Sequence, residues 1–136
     1  MGLIEGDHFD DEQCLAQLGR AQFGRIALTL QAVPVVVPVR YALSDGGTIL
    51  FTVSVDQLRE ALHGTVTTLQ ADGFDEASGR RWSVIAVGTT RRVEVSDGIG
   101  LREIASLSVP DATAVEQDTV FRLDHQILSG RWLDTL

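Results

Sequence analysis

The sequence predicts a mainly β protein, a small antiparallel barrel of about five or six strands with short helices between them. Short runs in which apolar and polar residues alternate recur along most of the chain, and this period of two is typical of strands. Residues 44–47, SDGG, form a strong hairpin signal between two such runs. An open sandwich of two sheets is the structural alternative, because strand periodicity does not distinguish it from a barrel.

The chain is predicted to begin with a short helix at residues 10–18. Asp10 is a suitable N-cap, and Gln13 follows it three residues later, which is the spacing of a capping box. Gly19 is suited to end the helix.

Alternation and β-branched content predict the strands. Residues 24–30, GRIALTL, alternate strictly and indicate a half-buried strand. Residues 35–43 are rich in valine. Pro34, just before this segment, and Pro38, within it, lack amide hydrogens, so this strand should lie on a sheet edge or carry a bulge. The remaining predicted strands are residues 48–53, 65–72, 81–95 and 119–123.

A second helix is predicted directly after the third strand, at about residues 55–63. Ser54 and Gln57 have capping-box spacing, and Gly64 can end the helix. Arg59 is expected on its solvated face, and a swing of its side chain toward a phosphate is the alternative. A helix N-terminus that follows a strand in this way is a favourable place for a phosphate group.

The rest of the chain is predicted from turn formers and one further helix. Residues 73–80, GFDEASGR, are predicted as a loop. A third helix is expected at residues 98–107 with Asp97 as its cap, and the C-terminal LSGRWL is expected to turn at Ser129 and Gly130.

Length and charge limit the classes of protein that the chain can belong to. Its 136 residues are predicted to form one domain, residues 1–136, with no linker or repeat. The net charge is −8, and all 11 basic residues are arginine. A protein that binds nucleic acid needs a basic face to neutralise phosphates, so no nucleic-acid partner is expected.

Other features limit the compartment and the chemistry. No apolar stretch is long enough to span a membrane, and the N-terminus has no basic region leading into an apolar run, so a cytoplasmic protein without a membrane partner is expected. Cys14 is the single cysteine, which excludes an internal disulfide. His8, His63 and His125 lie far apart and have no metal-ligand spacing, so no metal site is predicted.

The ordered succession of GRIALTL, PVRYAL, TILFTV, a helix, WSVIAVG and SGRWL resembles the pyridoxamine 5′-phosphate oxidase-like proteins. The resemblance covers residues 10–133. It implies a six-stranded antiparallel split barrel of the FMN-binding type that forms a homodimer with flavin sites at the subunit interface. Members use FMN or a deazaflavin for two-electron redox chemistry, some bind haem or another tetrapyrrole, and some have no established ligand.

The resemblance also implies where a cofactor lies. The phosphate tail would lie near the third strand and the helix after it, and the isoalloxazine ring along the second and third strands, covered by the other subunit. Strand parity places Arg40 and Tyr41 on opposite faces, so their two side chains cannot both reach one site without a bulge. Arg40 stands where relatives usually have a neutral residue; it is a candidate to contact the cofactor, and an exposed strand arginine paired with an acidic neighbour is the alternative. The candidate cofactor-binding residues are Arg40, Tyr41, Thr52, Val53, Ser54, Gln57 and Trp82.

The chain departs from the family pattern at the residues that the resemblance places near the cofactor phosphate. Relatives commonly carry Arg on the third strand and Lys at the start of the next helix, where this chain has Thr52 and Gln57. A charge-assisted hydrogen bond is roughly twice as strong as a neutral one, so both losses weaken phosphate binding. Two functions remain open: a flavin- or deazaflavin-dependent oxidoreductase acting on a small molecule, and a non-enzymatic ligand-binding dimer with a weakened or lost flavin site. The chain is short for pyridoxamine phosphate oxidation itself.

Overall fold

The six strands close into one antiparallel barrel with the neighbour order β1-β2-β3-β6-β5-β4. The computed structural model describes residues 8–53, 56–100, 103–104, 107 and 120–133. The ring closes because β1 pairs with β4 as well as with β2, which confirms the predicted barrel and rules out the open sandwich. The elements are α1 (Asp11–Leu18), β1 (Phe23–Leu30), β2 (Val33–Leu43), β3 (Ile49–Thr52), α2 (Asp56–Ala61), β4 (Thr65–Asp75), β5 (Arg80–Arg92) and β6 (Val120–Trp132).

Helix α1 begins with the predicted capping box. The Gln13 amide donates to the Asp10 carboxylate at 2.8 Å, and the Asp10 amide donates to the Gln13 side chain at 2.9 Å. These two bonds satisfy N–H groups that a helix start otherwise leaves free. Cys14 and Leu18 are buried against the barrel, so the cap fixes where the helix packs.

Among the described residues, the first part of β2 has a strand neighbour on one side and none on the other. Residues 33–40 pair with β1, and β3 joins β2 only from Tyr41 onward. Pro34 and Pro38 stand in this stretch, so the part of β2 that carries them agrees with the edge alternative of the prediction, although β2 as a whole lies between β1 and β3. In the preceding turn, Gln31 and Ala32 have φ angles of 50° and 66°. Such left-handed turn conformations are usually signalled by glycine, and the sequence has none at these two positions.

Two predictions from turn signals are corrected. The β4–β5 hairpin turns only at residues 76–79, so Gly73 and Phe74 belong to β4. The segment after Val120 runs on as one strand to Trp132 without a turn at Ser129 and Gly130.

The physical reason for the second correction is crowding at Gly130. A β-carbon there would stand 2.7 Å from the Phe9 ring and 3.0 Å from the Cys14 sulfur. The glycine therefore allows close packing inside a strand.

The third predicted helix lies partly outside the described residues. In the described part, Val95–Asp97 form a 3₁₀ turn, and the Ile104 amide donates to the Gly100 carbonyl in α-helical fashion. Residues 101–102, 105–106 and 108–119 are outside it. Asp97 lies inside the 3₁₀ turn and does not cap a helix.

Two apolar clusters organise the interior. The larger fills the barrel and is closed by α1. The smaller lies on the other side of β3, where Leu50 packs against Val93, Ile104, Leu107 and Val120. This smaller cluster covers the middle of the outer face of β3 but not the end of the strand at Thr52, which is half-buried. None of the described helices is long and apolar enough to cross a membrane.

Candidate functional site

The outer face of β2 and β3 brings together two of the predicted site residues. Tyr41 pairs with Phe51, Ala42 with Leu50 and Leu43 with Ile49. Extending this register by one residue sets Arg40 beside Thr52. Because successive side chains alternate between the two faces of a strand, the side chains of Arg40 and Thr52 both point away from the barrel interior. They lie next to the end of β3 that leads into α2.

Arg40 has an unused hydrogen-bonding group. Its guanidinium lies over the Phe23 ring, 5.5 Å from the centroid, and its Nη2 donates to Gln22 over a long 3.3 Å. Its Nε is enclosed and has no hydrogen-bond partner. Leaving a buried donor of this kind unpaired is unfavourable. A ligand that offers an acceptor at this position would satisfy it.

Tyr41 points the other way. Its side chain is 2% exposed, and its hydroxyl donates to the Leu18 carbonyl at 2.6 Å. Burial, with a smaller contribution from the Asp72 charge, raises the pKa of this phenol above its ordinary range. The hydroxyl is therefore neutral and structural. A contact of Tyr41 with a cofactor through its backbone stays a prediction.

The bond between Arg59 and Val53 is the contact that sequence reasoning missed. The solvated face of α2 is the favoured prediction for Arg59 and a swing toward a phosphate is the alternative, but its Nε donates to the Val53 carbonyl at 3.0 Å. This bond ties the helix back to the end of β3 and brings a guanidinium to the corner where a phosphate was predicted. The one signal in the sequence is the position of Arg59, one turn into a helix that directly follows a strand. From that position the side chain can reach back to the end of the strand.

The other predicted residues are placed as follows. Gln57 lies in the first turn of α2, and Val53 is buried at 4% exposure. Ser54 lies outside the described residues. Trp82 points inward from β5 and is 2% exposed, so within one protomer its ring is largely enclosed. Its predicted contact with the cofactor of the partner subunit stays a prediction.

Solved structures share this fold. The FAD-binding protein of Mycobacterium smegmatis aligns with 93% of this chain and 97% of its own, at a TM-score of 0.70 and 21% identity. A putative pyridoxamine 5′-phosphate oxidase from Corynebacterium glutamicum aligns with 95% of both chains, at a TM-score of 0.71 and 18% identity. At these identities the likeness shows the fold.

Sequence comparison identifies the family. An uncharacterised protein of Mycobacterium tuberculosis is 29% identical over 126 residues, which cover 89% of this chain and 81% of that protein. A family profile described as pyridoxamine 5′-phosphate oxidase matches residues 10–132. Because that match includes every strand of the barrel, the chain belongs to the pyridoxamine 5′-phosphate oxidase family.

Proposed function

We propose that this chain is a homodimeric, flavin-binding oxidoreductase that acts on a small molecule. The observation that carries the proposal is the enclosed, unpartnered Nε of Arg40 on the outer face that it shares with Thr52. A structure of the same fold is described as FAD-binding, which supports a flavin as the class of ligand. FMN or a deazaflavin is the form that the family resemblance favours.

The residues present fit a flavin tail with fewer cations than is usual in the family. Arg40 would donate from Nε to an acceptor of the ligand. Thr52 and Gln57 would offer neutral donors, and Ser54 would add a hydroxyl. The Arg59 guanidinium at the end of β3 supplies positive charge that compensates in part for the missing Arg and Lys.

The protein's part in the chemistry would be binding and orientation. A bound flavin supplies two-electron transfer, and the protein sets its electrostatics and its access to water. Tyr41 and Val53 would flank the ring through their backbones, while Trp82 of a partner protomer would cover it.

The dimer is proposed from a row of residues across the outer face. Ala27 pairs with Val36 on one side and with Thr68 on the other, and the register continues through Val87 to Ile127. Val36 is 64% exposed and Ile127 is 59% exposed at the two ends of this row. Exposed apolar patches of this kind mark protein interfaces, so a second copy is the proposed occupant.

The alternative is a dimer that binds a ligand without turnover. It is favoured by Thr52 and Gln57 at the positions where relatives carry cations. On this view, Arg40 satisfies its Nε with an acceptor from a ligand that has no phosphate.

Titration of the purified protein with FMN, FAD and a deazaflavin, followed by flavin fluorescence, tests the proposal. Binding of one of them, weakened about tenfold by Arg40→Gln because one charge-assisted hydrogen bond is lost, would support it. Arg92→Gln, an exposed arginine at the end of β5, is the matched control and should leave the affinity unchanged.

If none of the three flavins binds, the non-enzymatic ligand-binding dimer becomes the preferred function. Gln57→Lys then separates two causes. If this variant creates flavin binding, the groove is intact but lacks charge. If it does not, the ligand of the groove is of another class.

A further inference from the structure

Phe23 is the first residue of β1, and its side chain is 63% exposed. It pairs with Arg40 across β1 and β2. Both side chains lie on the outer face, because the next residues, Gly24 and Val39, face inward and are buried. The guanidinium carbon of Arg40 lies 5.5 Å from the centroid of the Phe23 ring. A ring this exposed adds little to the core, so its contact with Arg40 is the interaction that calls for an explanation.

The backbone around this pair is fixed. The Tyr41 amide donates to the Gln22 carbonyl at 2.9 Å, one position away from the Phe23–Arg40 pair. A β-carbon at Gly24 would stand 2.7 Å from a carbonyl oxygen of β4, so the absence of a side chain allows β1 to approach β4 closely here. Because both backbones are held, the place of the Arg40 guanidinium depends on its side-chain rotamer.

Two contacts select that rotamer. Nη2 of Arg40 donates to the side-chain oxygen of Gln22 over a long 3.3 Å, and the guanidinium lies over the Phe23 ring. No carboxylate of the described residues forms an ion pair with Arg40. An arginine side chain loses much rotamer freedom when it is fixed in one place. One long hydrogen bond is a weak restraint, so the Phe23 ring supplies the second point that defines the direction of the side chain.

Held in this way, the guanidinium keeps most of its donors for a ligand. Arginine carries several N–H groups in a planar fork that suits phosphate and carboxylate oxygens. Among the described residues the Arg40 fork donates one hydrogen bond, through Nη2, and Nε has no partner. An aromatic ring attracts a cation through its π face and does not replace an oxygen acceptor. Phe23 therefore orients Arg40 without using the donors that a ligand of the groove needs.

We propose that Phe23 is a positioning residue that holds the Arg40 guanidinium on the outer face, beside Thr52, where the acceptor of a ligand meets it. Gln22 adds a second, weaker restraint. A positioned arginine binds a ligand more tightly than a mobile one, because its conformational freedom is lost before the ligand arrives. The identity of the ligand rests on the proposed flavin function, whereas the positioning rests on the contact between Phe23 and Arg40.

The positioning is tested first without a ligand, by nuclear magnetic resonance of the isotope-labelled full chain. The Arg40 Nε–H signal is identified by its disappearance in Arg40→Gln. The Phe23 ring should shift this signal away from the position typical of a mobile arginine. We expect Phe23→Leu to move the signal back toward that position, and Phe23→Tyr, which keeps the aromatic ring, to leave it close to the parental one. Phe74→Leu is the matched control, because it removes an aromatic ring of similar exposure from β4.

A double-mutant cycle tests the consequence for binding, with the flavin that the parent binds most tightly as the probe. Phe23→Leu should weaken its affinity about threefold through loss of the cation–π contact. In the Arg40→Gln background the same substitution should have no effect, since no guanidinium is left to position. Phe23→Tyr should retain the parental affinity, and Phe74→Leu should leave it unchanged. Circular dichroism verifies that each variant is folded.

Three results would overturn the proposal. The first is an Arg40 signal that is the same in the parent and in Phe23→Leu. The second is an equal loss of flavin affinity from Phe23→Leu with and without Arg40, which would show a purely structural role. The third is an equal loss from Phe23→Leu and Phe23→Tyr. A protein that binds no flavin but shows the Phe23-dependent Arg40 signal would support the positioning while the proposed function fails.

Discussion

The Tyr41 hydroxyl donates a hydrogen bond of 2.6 Å to the Leu18 carbonyl and joins β2 to the last turn of α1. Both residues are buried, and a terminal carbonyl of a helix has no partner within the helix itself. The bond explains why Tyr41 points inward, and with it why Arg40 points outward to the candidate groove.

Tyr41→Phe should lower the free energy of unfolding by about 1–3 kcal/mol, because the Leu18 carbonyl is then buried without a donor. Urea denaturation followed by circular dichroism measures the loss. Flavin affinity should stay unchanged, since the hydroxyl does not reach the outer face. A variant as stable as the parent would contradict the structural role given to this bond.

Gly73→Ala should destabilise the β4–β5 hairpin. Its added methyl group would meet the Trp82 ring at 2.5 Å, and such overpacking costs typically about 1–3 kcal/mol. Thermal unfolding measures the effect. Gly46→Ala is a suitable control because no atom lies within 4 Å of a β-carbon at that glycine. A similar shift in both variants would show that backbone freedom, and not the indole, accounts for the cost.

Asp97 is the centre of an ion-pair cluster that joins the 3₁₀ turn to β5 and β6. Its side chain is 7% exposed and accepts from Arg91 at 2.6 Å and from Arg122 at 3.1 Å. The hydrogen bond from Arg91 is the main cause that holds the pKa of Asp97 below its ordinary value, and burial opposes it.

The lowered pKa gives this cluster a defined pH dependence. The stabilisation is present above the ordinary pKa of an aspartate, about 4, and is lost as the pH falls through the lower value in the folded state. Asp97→Asn should therefore lower the free energy of unfolding by about 1–3 kcal/mol at neutral pH, and by less in acid. Denaturation at several pH values measures this convergence.

Glu76→Gln, in the exposed β4–β5 turn, is the control for the Asp97 experiment and should change stability little at any pH. A gap between Asp97→Asn and the parent that is constant from neutral to acid pH would contradict the role of the Asp97 charge.

Ile127→Asp should convert the proposed dimer to a monomer, because a carboxylate would be buried in the apolar row if two copies met there. Light scattering at micromolar concentration measures the mass. Gln126→Asp places the same charge on the neighbouring exposed position, next to the register shift of β6, and should stay dimeric. A parent protein that is monomeric under these conditions would remove the basis of the dimer.

Local patterns were enough to predict most elements. The capping box of α1 and the hairpin at residues 44–47 depend on neighbours within a few residues, and both are confirmed. Alternation predicted the strands, but the length of β6 was wrong because glycine has the same signature in a turn and at a crowded strand position. What crowds Gly130 is Phe9 and Cys14, which are distant in sequence.

The candidate site was predictable only in part. Strand parity showed that Arg40 and Tyr41 face opposite ways, but not which of them faces outward. No sequence motif predicts the hydrogen bond from Arg59 to the Val53 carbonyl. Whether this side chain points into solvent or contacts the end of the strand depends on the angle at which α2 leaves β3.

By itself the sequence determined the kinds and order of the elements, the restriction of the proline-bearing strand to an edge or a bulge and the absence of lysine from any site. These follow from side-chain periodicity, backbone chemistry and composition, all of which are local. The tertiary structure decided the barrel closure through the β1–β4 pairing and the side of β2 that Arg40 occupies. Each of these depends on contacts between residues far apart in the chain, where register and packing select one arrangement among several that the same local pattern allows.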